Sequence, residues 1–113
     1  MRARQRLWVA LDTADPQRAL ELAGALRDSV GGLKLGLELF VAAGPEIVRR
    51  IRATGLGVFL DLKLHDIPNT VAGAAAALAR LDIAYYTVHA LGGAPMIARA
   101  VSAADEAARA AGL

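Results

Sequence analysis

The chain contains no cysteine, which excludes disulfides and thiolate metal sites and leaves no mark of an oxidising compartment. It also lacks any apolar stretch approaching the roughly 20 residues that span a bilayer. Arg2, Arg4 and Arg6 precede the apolar run Leu7-Trp8-Val9-Ala10-Leu11, but that run breaks at Asp12 and is too short to be the core of a signal peptide. The expectation is a cytoplasmic protein with no membrane partner. An excess of one charge is missing as well. Thirteen basic residues stand against 11 acidic ones for a net charge of +2, and beyond the N-terminal arginines they are scattered, so nucleic acid is not an expected partner.

Lysine is the scarcest charged residue. Lys34 and Lys63 are the only two, every other basic residue being arginine. An ammonium can lose its proton near neutral pH when its surroundings shift it, whereas a guanidinium effectively cannot. The two lysines are therefore candidates for chemistry, with codon bias and chance as the plainer explanation.

What the chain does have is apolar content: 56% hydrophobic against 21% charged residues, suited to one compact core and a single domain over 1–113. Short apolar runs predict strands near residues 8–12, 33–35, 57–63 and 84–89, recurring about every 25 residues with a helical pattern after each. Asp15-Pro16 reads as an N-cap followed by proline at the first helical position. The stripe Ala19, Leu22, Ala23, Leu26 and Val30 then predicts a helix ended by Gly31-Gly32. A short helical turn over 38–43 precedes a helix opened by Gly44-Pro45, which carries Ile47, Val48 and Ile51 and stops at Gly55. An alanine-rich helix over 71–81 turns Val71, Ala74, Ala75, Leu78 and Leu81 inward. A last helix, opened by Pro95, carries Met96, Ile97, Ala100, Val101 and Ala104. Repeated βα units argue for an α/β fold, with a parallel sheet buried on both faces and helices outside. Four units suit a small open sheet or half of an eight-stranded barrel.

The densest chemistry lies in Asp61-Leu62-Lys63-Leu64-His65-Asp66-Ile67-Pro68-Asn69-Thr70. Strand periodicity puts Asp61 and Lys63 on one face and leaves Asp66 on the loop beyond. In parallel α/β folds the C-terminal strand ends share the ligand-binding face, and Asp12, Lys34, Asp61, Lys63 and His89 all occupy such ends. A purely structural ion cluster is the alternative. It is disfavoured because desolvating lysines and carboxylates is costly and apolar packing could usually replace it. Asp61 and Asp66 are oxygen ligands of the kind magnesium uses, but Lys63 between them would compete with the ion, so no metal is expected. Gly31-Gly32 and Gly92-Gly93 continue into no phosphate-loop pattern. Ser29 and Ser102 lie in or beside helical segments and form no nucleophile pair with a histidine. His65 reads as a loop residue held by backbone contacts and His89 as packing or support for the rim. Trp8, Tyr85 and Tyr86 read as core or interface residues.

The run from Phe59 to Val71 resembles the signature of the orotidine 5'-phosphate decarboxylases, which make UMP. Its D-x-K-x-x-D core, Asp61-Lys63-Asp66, is shared with magnesium-dependent sugar-phosphate decarboxylases and aldolases. The continuation His65-Asp66-Ile67-Pro68-Asn69-Thr70 favours the orotidine enzyme. Trp8-Val9-Ala10-Leu11-Asp12, Leu33-Lys34-Leu35-Gly36 and Val88-His89-Ala90 are similar to the family's first, second and fourth strand ends. The resemblance implies the N-terminal half of a (β/α)8 TIM barrel and decarboxylation without a cofactor. Lys63 would be the proton donor, Asp61 would face the substrate carboxylate, and Asp12 and Lys34 would hold the ribose and orient the charges. Asp66 and Thr70 would reach the neighbouring site of a homodimer. Set against a full barrel, it also implies a partial chain without the phosphate-gripping half, inactive by itself, with a non-catalytic self-pairing half-barrel as the other reading.

Overall fold

The computed structural model describes residues 2–113. Four strands, β1 (Trp8–Leu11), β2 (Gly32–Gly36), β3 (Gly57–Leu64) and β4 (Tyr85–Val88), form a sheet in that order. Five α-helices follow them, α1 (Pro16–Leu26) after β1, α2 (Leu37–Ala43) and α3 (Pro45–Arg52) both after β2, α4 (Pro68–Ala79) after β3 and α5 (Ala94–Ala110) after β4. The sequential order is what short right-handed crossovers produce. Packing divides the chain into two compact units, the first ending at Asp61 and the second running Leu62–Leu113.

In the first unit β1 and β2 pair in parallel with Val9 opposite Leu33, and β2 pairs with β3 with Lys34 opposite Phe59 and Gly36 opposite Asp61. Leu33, Leu35, Val58 and Leu60 are fully buried, together with Leu39 of α2 and Val48 and Ile51 of α3. Each such side chain contributes about 1.5–3 kcal/mol on leaving water. The alternate residues Lys34, Phe59 and Asp61 are only half-buried. β2 and β3 thus alternate in burial here, rather than being buried throughout as the apolar runs suggested. This alternation is what puts Lys34 and Asp61 on one face of the sheet.

α1 begins as predicted: Asp15 caps it by accepting the Gln17 N–H at 2.9 Å, and Pro16 takes the first position. It ends earlier than expected, at Leu26, so the buried Val30 lies beyond it and Gly31-Gly32 is not its stop. Those glycines serve a close approach instead. A methyl group on Gly32 would lie 2.2 Å from the Trp8 ring, and one on its register partner Gly57 would lie 2.8 Å from the same ring. The half-buried indole therefore lies over two paired glycines.

The second unit contains the tip of β3, β4, a 3-10 turn (Ala90–Gly92), α4 and α5. Its core is Val71, Ala75, Met96 and Ala100, with Leu64, Tyr86, Val88, Ile97 and Ala104 packed around them. Small alanines let the two helices approach closely. α4 starts at Pro68 rather than near 71 and stops at Ala79, which puts Thr70 in its first turn. Ala72 is buried in it, while Ala74 and Leu81 are half-buried. Val101, expected inward, is exposed. β4 ends at Val88, so His89 caps the 3-10 turn instead of closing the strand.

Candidate functional site

In the first unit the Lys34 ammonium lies 3.1 Å from an Asp61 carboxylate oxygen, with side-chain exposures of 36% and 13%. The β2–β3 register creates this pair. Lys34 stands opposite Phe59, Asp61 is two residues further along the same face, and the long lysine stem spans the diagonal. Asp61 is the less exposed partner of the pair. Asp12 follows the last residue of β1 and is exposed.

The second unit begins where the strand changes character. Lys63 is counted within β3, yet its φ is +52°. A left-handed backbone costs a side-chain-bearing residue about 1–2 kcal/mol, and such outliers persist only where the surroundings hold them. The expected two-residue alternation therefore does not set the direction of Lys63, which is exposed where Asp61 is half-buried. The Lys63 N–H donates to the Thr87 hydroxyl oxygen at 2.8 Å. The His89 N–H donates to the Leu64 carbonyl at 2.9 Å.

His65 and His89 stack, with ring centroids 4.8 Å apart and planes 17° from parallel. His89 Nδ1 accepts the Leu91 N–H at 3.2 Å, which fixes that nitrogen as an acceptor and leaves Nε2 to carry the proton of the neutral ring. The His65 ring is thus packed against the His89 ring. Asp66 turns back on the chain, accepting the Ile67 N–H through Oδ1 at 2.7 Å. His65, Asp66, Ile67, Pro68, Leu91 and Gly92 line an open depression of about 530 Å³. Thr70 is exposed in the first turn of α4.

Of the residues singled out from sequence, Lys34 and Asp61 are brought together as a pair, Lys63 lies on the tip of β3, and His65 and His89, which follow β3 and β4, stack on each other. Asp66 and Thr70 are exposed near the start of α4. Thr87 escaped notice. The signal that marks it is a hydroxyl within Tyr85-Tyr86-Thr87-Val88, where an aliphatic side chain would have filled the strand as well. Elsewhere in this unit, burial and then the Asp105 carboxylate raise the Tyr86 phenol above its ordinary range.

The chain is similar to known proteins over nearly its whole length. The model of the orotidine 5'-phosphate decarboxylase / HUMPS family matches residues 5–112. The orotidine 5'-phosphate decarboxylase of Paramagnetospirillum magneticum is 53% identical over 104 residues, 91% of this chain and 44% of its own length. That of Carboxydothermus hydrogenoformans is 47% identical over 103 residues, with 91% and 43% covered. The crystal structure of the enzyme from Lactobacillus acidophilus matches with a TM-score of 0.80 and 41% identity over 90% of this chain and 46% of that one. That of the Methanocaldococcus jannaschii enzyme complexed with inhibitor BMP gives 0.82 and 29% identity over 88% and 47%. The chain spans about half the length of the relatives it matches. Its fold is α/β, four parallel strands with helices, corresponding to about half of a TIM barrel. With the family match running almost from end to end and half the residues shared with such relatives, the chain belongs to the orotidine 5'-phosphate decarboxylase / HUMPS family.

Proposed function

We propose that this chain supplies the reacting-centre residues of an orotidine 5'-monophosphate decarboxylase, within one partial barrel domain over residues 1–113. The observation that carries this reading is the half-buried ion pair between Lys34 of β2 and Asp61 of β3, the strand that also carries Lys63. Breaking the bond between C6 and the carboxylate leaves an electron pair on a ring carbon with no electron sink. A preplaced ammonium both stabilises that charge and delivers the proton that forms the new C–H bond. Lys63 takes this role. Asp61 faces the departing carboxylate, and Lys34 keeps that carboxylate side chain charged and oriented. No cofactor is required by this chemistry. Asp12 and Lys34 hold the ribose hydroxyls.

Asp66 and Thr70, exposed at the start of α4, reach the active site of a second subunit, making the working form a homodimer in the cytoplasm. No helix among the described residues is long and apolar enough to cross a membrane.

The test is UMP formation by the 113-residue chain, alone and mixed with the C-terminal remainder of the Paramagnetospirillum magneticum relative. Binding energy from remote groups lowers the barrier at the reacting centre, so turnover is expected in the mixture and to be lost on Lys63→Ala. Absence of both turnover and BMP binding in the mixture overturns the reading. Turnover of a sugar phosphate that depends on magnesium assigns the chain to the other branch of the family.

A further inference from the structure

The left-handed backbone at Lys63 requires something to hold it. Three contacts from β4 and the residue after it reach the tip of β3: the Lys63 N–H to the Thr87 hydroxyl at 2.8 Å, the His89 N–H to the Leu64 carbonyl at 2.9 Å, and the stacking of His89 on His65. Of these three, the Thr87 contact is the one made to residue 63 itself. We propose that Thr87 is a positioning residue for Lys63, its hydroxyl holding the lysine amide in the left-handed conformation and so setting the direction in which the ammonium leaves the strand. This rests on the role given to Lys63 above.

The physical case begins with exposure. Lys63 is an exposed residue, and its side chain is a flexible four-carbon stem. The direction in which that stem leaves the strand is set by the backbone conformation at the α-carbon. An L-residue released from restraint returns to the extended region that strands prefer. At φ +52° the amide of Lys63 is turned away from regular strand geometry, and a hydroxyl on the neighbouring strand receives it. Thr87 is half-buried on β4, and threonine has few χ1 choices in a strand, so the acceptor is itself fixed. Valine has the same shape and no acceptor. It would leave the Lys63 N–H facing a methyl group, and the left-handed backbone would lose the hydrogen bond that the hydroxyl gives it.

The scarcity of lysine makes the test direct. Labelling with [15N]lysine gives two backbone amide signals, Lys63 and its internal control Lys34. In Thr87→Val the Lys63 amide is expected to exchange about tenfold faster, the ratio that corresponds to one lost hydrogen bond. Its HN–Hα coupling should move toward the extended value while the Lys34 amide stays in place. Thr87→Ser, which keeps the acceptor, should restore both readings. In the assembly that turns over substrate, Thr87→Val should lower kcat about 10- to 100-fold with KM nearly unchanged, since misplacing a catalytic group acts on the chemical step. Thr87→Ser should recover kcat.

A Lys63 amide that does not respond to Thr87→Val overturns the proposal, as does equal loss of kcat in the valine and serine variants. If Thr87→Val disturbs the Lys34 signal, Thr87→Cys, of similar size and with a weakly accepting sulfur, carries the same comparison. Absence of turnover in every assembly would remove the decarboxylase reading, whereas the amide exchange would still decide whether Thr87 holds Lys63.

Discussion

Two proposed catalytic residues, Asp61 and Lys63, stand two positions apart on β3, yet they are held by different means. Asp61 lies in the first unit, where a regular parallel ladder carries it opposite Gly36 and its carboxylate meets Lys34 across the diagonal. Lys63 lies in the second unit, exposed, with a left-handed backbone that a side-chain hydroxyl from β4 holds. The ladder needs no strain to place a half-buried carboxylate, because register and alternation are enough. The ammonium at the tip is placed against backbone preference, and that strain must be offset by local hydrogen bonds. Placement of charge is thus a ladder property in one region and a local, tertiary one in the other.

The largest expected effect separates the two regions by chemistry. In the mixed assembly, if it turns over substrate as proposed, Lys63→Ala should lower decarboxylation by about 10³-fold, within the range a general acid supplies, while the Lys34 amide signal and thermal stability stay nearly unchanged, since Lys63 is exposed. Next, Gly32→Ala attacks the ladder alone. Its methyl would meet the Trp8 ring at 2.2 Å, and overpacking of this kind costs about 1–3 kcal/mol in denaturant unfolding. The Lys63 amide should be indifferent to it.

A smaller effect isolates the strain. Lys63→Gly should be about 1 kcal/mol more stable than Lys63→Ala, because glycine adopts positive φ without penalty. Equal stabilities would mean that the tip is not strained. The smallest effect lies on β4, the strand that holds the tip. Tyr86 has a raised phenol pKa from burial, with Asp105 adding to it. In the folded state the phenol therefore stays neutral after the unfolded chain has begun to ionise near ~10. Its contribution is complete below that pH and is lost as pH rises through the higher folded value. Alkaline unfolding of Tyr86→Phe should be flatter over that window.

Much of this was legible from residues alone. The four strands fell within one or two positions of their predicted places because buried runs bounded by glycine and charge have few alternatives. Asp15-Pro16 announced the start of α1 because an N-cap and a following proline act locally. The misreadings have a common cause. Gly31-Gly32 looks like a helix stop until the Trp8 ring is seen lying over Gly32, and Val30 looks helical because it is buried, which periodicity cannot distinguish from being in the helix. Thr70 entered α4 because Pro68 can open a helix as readily as it can close a loop. Val101 fits an apolar stripe but faces water, since the stripe on α5 is narrower than its apolar content.

By itself the sequence determined the βα cadence, the family, and the residue types available for chemistry, above all the two lysines that stand out among arginines. These follow from patterns within a few residues of each other, where hydrophobic period, capping and side-chain chemistry act. The tertiary structure decided that Lys34 meets Asp61, through a register between strands more than 20 residues apart, and that Lys63 takes a left-handed backbone held by Thr87, 24 residues away. Neither pairing has a local signal, because each arises only when separate strands come to lie side by side.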